Sequence, residues 1–294
     1  METETVRLYC VHPGSDDASL WYFSTPDGNI WSPDTQIAGN KTTGPPSLAF
    51  FNDCLYCVYP GTDNKLCYII TADGTNWTQA HPIPWIQASA PSLADFNDRL
   101  YCAHIVDFYV NCFSTADGVT WTEDAATGLL CNYDPAIAAF NGSLYCAAVS
   151  EGDNYSINCI KTADGQNWVD APQIAFSGSA IGGSPVLVVF REHLYCFYRT
   201  AWPEDNKRYY VSSADGENWT EADKTYIPGY AGTDSEHYDR PAITVFNGRL
   251  YCIYLNNDKD LHYLSSADGT VWSQDEQIQG VKSGDSPTSA VLGI

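Results

Sequence analysis

The chain has 294 residues, with 14 lysines and arginines against 36 aspartates and glutamates, giving a formal charge of −22. Phosphate binding needs clusters of basic residues, so this balance argues against nucleic acid as a partner and leaves an acidic, solvated surface. No apolar run approaches the ~20 residues of a membrane-spanning helix. The start, METETVRLYC, has no basic region followed by an apolar segment; no signal peptide is visible, and a cytoplasmic location is expected.

In chain order, the first predicted strand carries Leu8-Tyr9-Cys10. An aromatic and β-branched strand follows, Leu20-Trp21-Tyr22-Phe23-Ser24, then an Asp27-Gly28 turn and a short strand beginning near Trp31. A proline opens the next strand, Pro46-Ser47-Leu48-Ala49-Phe50-Phe51, and the Asn52-Asp53 turn leads into Leu55-Tyr56-Cys57. Asparagine followed by aspartate or glycine is the hairpin signal expected where the backbone must be left-handed. Asn141-Gly142 and Asn247-Gly248 repeat that signal ahead of Leu144-Tyr145-Cys146 and Leu250-Tyr251-Cys252.

The whole unit recurs six times, over about 7–53, 54–98, 99–142, 143–192, 193–248 and 249–294. Its marker tryptophans, Trp31, Trp77, Trp121, Trp168, Trp219 and Trp272, are 46, 44, 47, 51 and 53 residues apart. Four antiparallel strands per unit, six times over, predict an all-β fold: a single six-bladed β-propeller of four-stranded blades. The chain begins on a second-strand sequence and ends on a first-strand sequence, Ser286-Pro287-Thr288-Ser289-Ala290-Val291-Leu292. The C-terminal strand is therefore expected to join the N-terminal blade and remove two open sheet edges.

Eleven cysteines raise the question of disulfides, yet six of them (Cys10, Cys57, Cys102, Cys146, Cys196 and Cys252) occupy one repeat position. Equivalent positions in packed sheets lie roughly 10 Å apart, and a disulfide needs Cα atoms within about 7 Å. These six are expected to be small apolar fillers, reduced in a cytosol.

The turn Ser114-Thr115-Ala116-Asp117-Gly118-Val119-Thr120-Trp121, read as Ser/Thr-x-x-Asp-Gly-x-x-Trp, resembles the Asp-box of sialidase-type propellers, with the aspartate one place later than usual. It is also similar to the repeats of β-propeller lectins from fungi and bacteria. The resemblance covers every blade, and it implies a structural turn on the outer part of the blade rather than catalysis.

Strand direction places the Asn-Gly and Asp-Gly turns at one end of the ring and the longer, variable loops at the other. Function sits on variable loops held by rigid sheets. On that face the second strands end at His12, Tyr59, His104, Ala148, Tyr198 and Tyr254. Asp134 and Arg240 stand just before the inner-strand prolines and should face the mouth of the axial channel, with Tyr133 and Tyr238 beside them and Arg199 following Tyr198. The long connection through Tyr226, Tyr230, His237 and Tyr238 is placed to overhang the mouth. His12 and His104 lack a third ligand, so no metal is expected. Neither a Gly-rich phosphate loop nor a G-x-S-x-G elbow occurs, and no cofactor is implied.

Two functional readings follow. One is a lectin-like module binding glycan or a small molecule at one or a few unequal sites on the variable face, since the loop residues do not repeat from blade to blade. The other is an enzyme with a single pocket at the channel mouth, Asp134 serving as acid or base in lyase or cyclase chemistry. Sialidase activity is set aside: Arg7, Arg99 and Arg249, three of the seven arginines, sit just after the structural turns on the opposite face.

Overall fold

The structure is a computed structural model that describes residues 6–87, 89–123, 125–149, 156–174, 181–200, 207–220, 226–228 and 240–293. It is a six-bladed β-propeller. Blade 1 contains β1 (Val6–Pro13), β2 (Ser19–Thr25) and β3 (Thr35–Lys41); blade 2 contains β4 (Ser47–Phe51), β5 (Cys54–Pro60), β6 (Lys65–Thr71) and β7 (His81–Gln87). Blade 3 runs β8 (Ser92–Phe96), β9 (Arg99–Val106), β10 (Tyr109–Thr115) and β11 (Ala125–Leu130). Blade 4 runs β12 (Ala136–Phe140), β13 (Ser143–Val149), β14 (Ile157–Thr162) and β15 (Val169–Ile174). Blade 5 shows β16 (Val186–Phe190), β17 (His193–Arg199) and β18 (Arg208–Ser213), and a Tyr209–Tyr226 bridge marks where its outer strand pairs. Blade 6 is β19 (Ala242–Phe246), β20 (Arg249–Leu255), β21 (Asp260–Ser266) and β22 (Glu276–Lys282). Among the described residues no helix is long and apolar enough to cross a membrane.

The ring closes as its two ends require. The last strand, β23 (Thr288–Gly293), pairs antiparallel with β1, from Val6 opposite Gly293 to Val11 opposite Thr288, and forms the inner strand of blade 1. Around the axis the inner strands are joined by side chains. The N–H groups of Leu48, Leu93 and Ile137 donate to the hydroxyls of Thr288 (3.0 Å), Ser47 (3.1 Å) and Ser92 (3.1 Å) in the preceding blade. A serine or threonine after the repeat proline thus satisfies donors that an inner sheet edge would otherwise leave bare.

The apolar core lies between blades rather than within them. Second strands such as β5 (CLYCVYP) are buried on both sides, which explains their unbroken apolar runs. One cluster fills each junction: Tyr9, Val11, Leu20, Cys57 and Ile69 between blades 1 and 2, and Leu8, Cys10, Phe23, Ile253 and Leu261 between blades 6 and 1. Each of the six repeat cysteines sits in a different junction, fully buried, and all eleven cysteines are free thiols.

The repeated turn is a lock between blades. Thr115 Oγ1 accepts from Gly118 N at 2.9 Å and donates to Asp117 Oδ1 at 3.0 Å; Asp117 Oδ1 in turn accepts from Val119 N (2.9 Å) and Thr120 N (2.6 Å). The hydroxyl that closes the turn is thus two residues before the aspartate, not three as the sequence pattern suggested; the same hydroxyl in the other blades is Thr25, Thr71, Thr162, Ser213 and Ser266. Those backbone donors hold the Asp117 carboxyl well below the usual carboxylate range. Gly118 has φ +77, and a Cβ there would run into the hydroxyl and ring of Tyr56, the tyrosine of Leu-Tyr-Cys in the preceding blade. Trp121 completes the junction, its ring 5.3 Å from that of Phe113 in its own blade and 5.7 Å from Tyr68 in the preceding one. The hairpin asparagines reach the same end: Asn52, Asn97 and Asn141 donate to the carbonyls of Ala116, Ala163 and Ala214 in the following blade. Both families of short turns therefore share one face, which leaves the variable loops on the other.

Candidate functional site

On the variable face, adjacent blades are stitched near the axis by backbone bonds that recur around the ring. Thr43 N donates to Pro60 O at 2.9 Å, Gly182 N to Arg199 O at 2.9 Å and Gly284 N to Pro13 O at 2.9 Å. Near each stitch sit a residue close to the end of the second strand, its cross-strand partner on the third strand, and the residue three places after the repeat tryptophan.

In blades 6, 1, 3 and 5 the second-strand residue is a buried tyrosine or histidine. In blade 6, Tyr254 is fully buried and its hydroxyl donates to Asp275 Oδ1 at 2.7 Å. His262 Nδ1 lies 2.8 Å from Asp275 Oδ2, and Asn256 Nδ2 donates to His262 Nε2 at 3.1 Å, so the network is filled and satisfied. In blade 1, buried His12 lies 3.1 Å from Asp34 Oδ1 and is paired across the strand with Trp21. In blade 3, buried His104 meets Ser89 Oγ at 3.3 Å. Tyr198 is buried in the junction of blades 4 and 5, stacked on Tyr209 at 6.0 Å.

Blade 4 carries Ala148, Asn158 and Ala171 at these positions. Blade 2 carries Tyr59, Cys67 and Ala80, and a cavity of about 560 Å³ lies beside the two small side chains, between blades 1 and 2. Tyr59 forms part of its wall, 1 % exposed, with its hydroxyl donating to Asn40 Oδ1 at 3.0 Å and burial pushing its pKa well up. Blade 1 contributes Asp17, Ser19, Gln36 and Lys41; blade 2 contributes Thr62 and Asp63 from the β5–β6 turn, with Cys67, Ala80 and Pro82. Asp17 accepts from Ser19 Oγ (2.7 Å) and Ser19 N (3.0 Å), and these bonds hold its carboxyl below the ordinary value. Burial raises the Cys67 thiol, which stays protonated at neutral pH. The pocket thus offers carboxylate acceptors, a lysine ammonium, a glutamine amide and hydroxyls around an apolar floor.

The channel mouth is a second, tighter place. Arg240 is 9 % exposed and its side chain crosses the axis: Nη1 donates to Pro135 O (3.5 Å) and Nη2 to Pro91 O (3.4 Å), while its N–H donates to Ser286 Oγ (3.0 Å). The guanidinium caps a channel cavity of only about 100 Å³. Asp134 is half-buried beside it; burial pushes its carboxyl up to about 6 against the pull of Arg240, with Asp285 adding to the rise. Tyr133 packs on the blade 4–5 core, and buried Arg199 donates from Nη2 to Gly182 O at 2.6 Å. Tyr230, His237 and Tyr238 lie outside the described residues. Of the expected site residues, Asp134 and Arg240 meet at the mouth, whereas Tyr133 packs on the blade 4–5 core, Arg199 is bonded to Gly182, and His12, Tyr59, His104, Tyr198 and Tyr254 are spread over five blade junctions. Sequence reasoning passed over Gln36, Lys41, Asp63 and Ala80; the signal available was Ala80, three places after Trp77, where blades 1 and 6 carry aspartate. Among the described residues no group of three or more histidine, cysteine or acidic side chains could hold a metal.

No family model matches the sequence, and no curated protein matches it. Solved structures do. The Aleuria aurantia lectin in complex with Fucα1-6GlcNAc superposes with a TM-score of 0.69 at 12% identity, over 97% of this chain and 98% of that one. A lectin from Burkholderia pseudomallei gives 0.67 at 12% identity, over 99% and 92% of the two chains. The sialidase of Trypanosoma rangeli gives 0.60 at 12% identity, over 85% of this chain but 51% of the sialidase. These likenesses establish the fold. At such identities they transfer no residue roles.

Proposed function

We propose that this propeller is a lectin-like carbohydrate-binding module whose principal site is the pocket between blades 1 and 2. The observation that carries the reading is that pocket itself. Its volume of about 560 Å³ falls in the range of small-ligand sites, roughly 300–1,000 Å³. Its lining supplies both acceptors and donors to a molecule dense in hydroxyls, and the side chains of Lys41 and Gln36 at its edge make no hydrogen bond to the described residues. Two structural neighbours that are lectins by name add support from the same scaffold. One unequal site also agrees with the lack of repetition in the loops. The acidic charge sets nucleic acid aside as ligand.

The enzymatic alternative rests on Asp134, whose raised carboxyl is the kind of perturbation found at functional groups. A cavity of about 100 Å³ under the Arg240 cap is small for a substrate, and we rank this reading second.

The test rebuilds the filled junction of blade 6 in blade 2. Cys67→His with Ala80→Asp should occupy the pocket and abolish glycan-array binding while the melting temperature holds. Lys41→Ala and Gln36→Ala, both at the edge, should each weaken binding several-fold. Unchanged glycan binding in the filled variant would overturn the assignment, and turnover of a small molecule lost with Asp134→Asn would favour the enzyme.

A further inference from the structure

Beside the pocket runs a second hollow of about 540 Å³, walled by Pro82, Ile83, Pro84 and Ile86 of β7 and edged by Asp63 and Lys65. The two share Asp63 and Pro82, so a polar half and an apolar half adjoin there. Ile83 and Ile86 belong to the core between blades 2 and 3, which accounts for their character. The exposed prolines at 82 and 84 have no such duty. Of the corresponding outer strands, β3 (TQIAGNK) and β22 (EQIQGVK) are polar with a glycine, and β11 (AATGLL) and β15 (VDAPQI) are partly apolar; among the described outer strands β7 (HPIPWIQ) is the one with two prolines, and it belongs to the blade that also holds the open pocket.

What fills the apolar half is constrained by β7 itself. Prolines at 82 and 84 have no N–H to donate. The pairing with β6 also jumps from Lys65–Gln87 to Cys67–Pro82, so the strand bulges away from a regular edge. An added β-strand from another chain finds neither the donors nor the geometry. A compact apolar group reaching out of the pocket needs neither.

We propose that the ligand is an amphiphilic glycoside: a sugar held in the polar pocket, bearing an aryl or alkyl substituent that lies along Pro82 and Pro84. The proposal rests on the carbohydrate reading of the pocket. Covering a phenyl-sized group at about 25 cal/mol per Å² of buried apolar area corresponds to roughly 10- to 100-fold in affinity.

The experiment is titration calorimetry of the wild-type protein with the methyl, phenyl and octyl glycosides of glucose, galactose, mannose, fucose and N-acetylglucosamine. The phenyl and octyl forms of a recognised sugar should bind 10- to 100-fold tighter than its methyl form. Pro84→Asp should erase that advantage and leave the methyl glycoside unaffected; Pro84→Ser, a milder change, should reduce it, with melting temperatures confirming that both variants are folded. Equal affinities of methyl, phenyl and octyl glycosides would overturn this proposal and leave the carbohydrate pocket standing. Failure of every glycoside to bind, with or without the substituent, would overturn both.

Discussion

Replacing glycines by alanine at three left-handed positions separates the strain of the backbone from the contact between blades. Gly142, Gly269 and Gly118 have φ of +73, +82 and +77, so an alanine at any of them carries a similar conformational penalty of about 1–2 kcal/mol. Their surroundings differ. At Gly142 a Cβ meets nothing within 4 Å; at Gly269 it would lie 2.9 Å from the Tyr195 hydroxyl and 3.3 Å from Cζ; at Gly118 it would lie 2.7 Å from Tyr56 Cζ, with the hydroxyl closer still. Gly142→Ala should therefore cost only the backbone term. Gly118→Ala must also displace a tyrosine packed in a blade junction, adding about 1–3 kcal/mol by analogy with overpacked cores, and Gly269→Ala should fall between. Because the Gly269 conflict is chiefly with one oxygen, Tyr195→Phe in that background should return the cost close to that of Gly142→Ala, measured as a double-mutant cycle. Urea unfolding followed by circular dichroism gives each value, provided the slope with denaturant is unchanged. If the three single substitutions cost the same, the tyrosine–glycine lock contributes nothing, and our account of how blades are held in register is wrong.

Removing residues 286–294 takes away β23 and bares the inner side of β1, so the truncated chain should unfold or aggregate; a monomer with an unchanged melting temperature would refute the closure. The aspartates of the six repeated turns, Asp27, Asp73, Asp117, Asp164, Asp215 and Asp268, are all held below the ordinary carboxylate range. A depressed folded-state pKa means stability that is present above the unfolded value near 3.9 and is lost as pH falls through the folded one. The melting temperature should thus drop steeply below about pH 4, and a flat profile down to pH 2 would contradict the turn geometry. Asp134 has the opposite sign: its carboxyl is raised to about 6, so its contribution is fully present below about pH 4 and is lost as pH rises to 6. Asp134→Asn should therefore gain on wild type in melting temperature between pH 4 and 7, and a constant difference across that window would show that the carboxyl titrates normally.

Repeat chemistry made the ring legible in the sequence. Leu-Tyr-Cys, the paired turns and the phase of Ser286–Leu292 each state a local requirement, and the fold meets all of them at once. The cysteines were readable for the same reason, because one position repeated in six sheets cannot bring two thiols together. The pocket was hidden because it is made by an absence. Tyr59 looks like His12 or Tyr254 along the chain, and only the register across three strands shows that Cys67 and Ala80 stand where Trp21 and Asp34 in blade 1, or His262 and Asp275 in blade 6, fill the junction. Arg240 was expected at the mouth, but its reach across the axis to Pro91 and Pro135 depends on the diameter of the ring, which no single repeat encodes.

Placing the core between blades rather than inside them also shapes how the chain reaches its final state. A lone blade has two apolar faces and nothing of its own to bury them against, so partial rings should be sticky and short-lived. The final pairing, between β1 and β23, joins segments at opposite ends of the described chain, and contacts so distant in sequence form slowly. Until it forms, β1 presents a free edge that the β23 of a second molecule could occupy equally well. Refolding at high protein concentration is therefore where strand-exchanged dimers should arise, and dilution should suppress them.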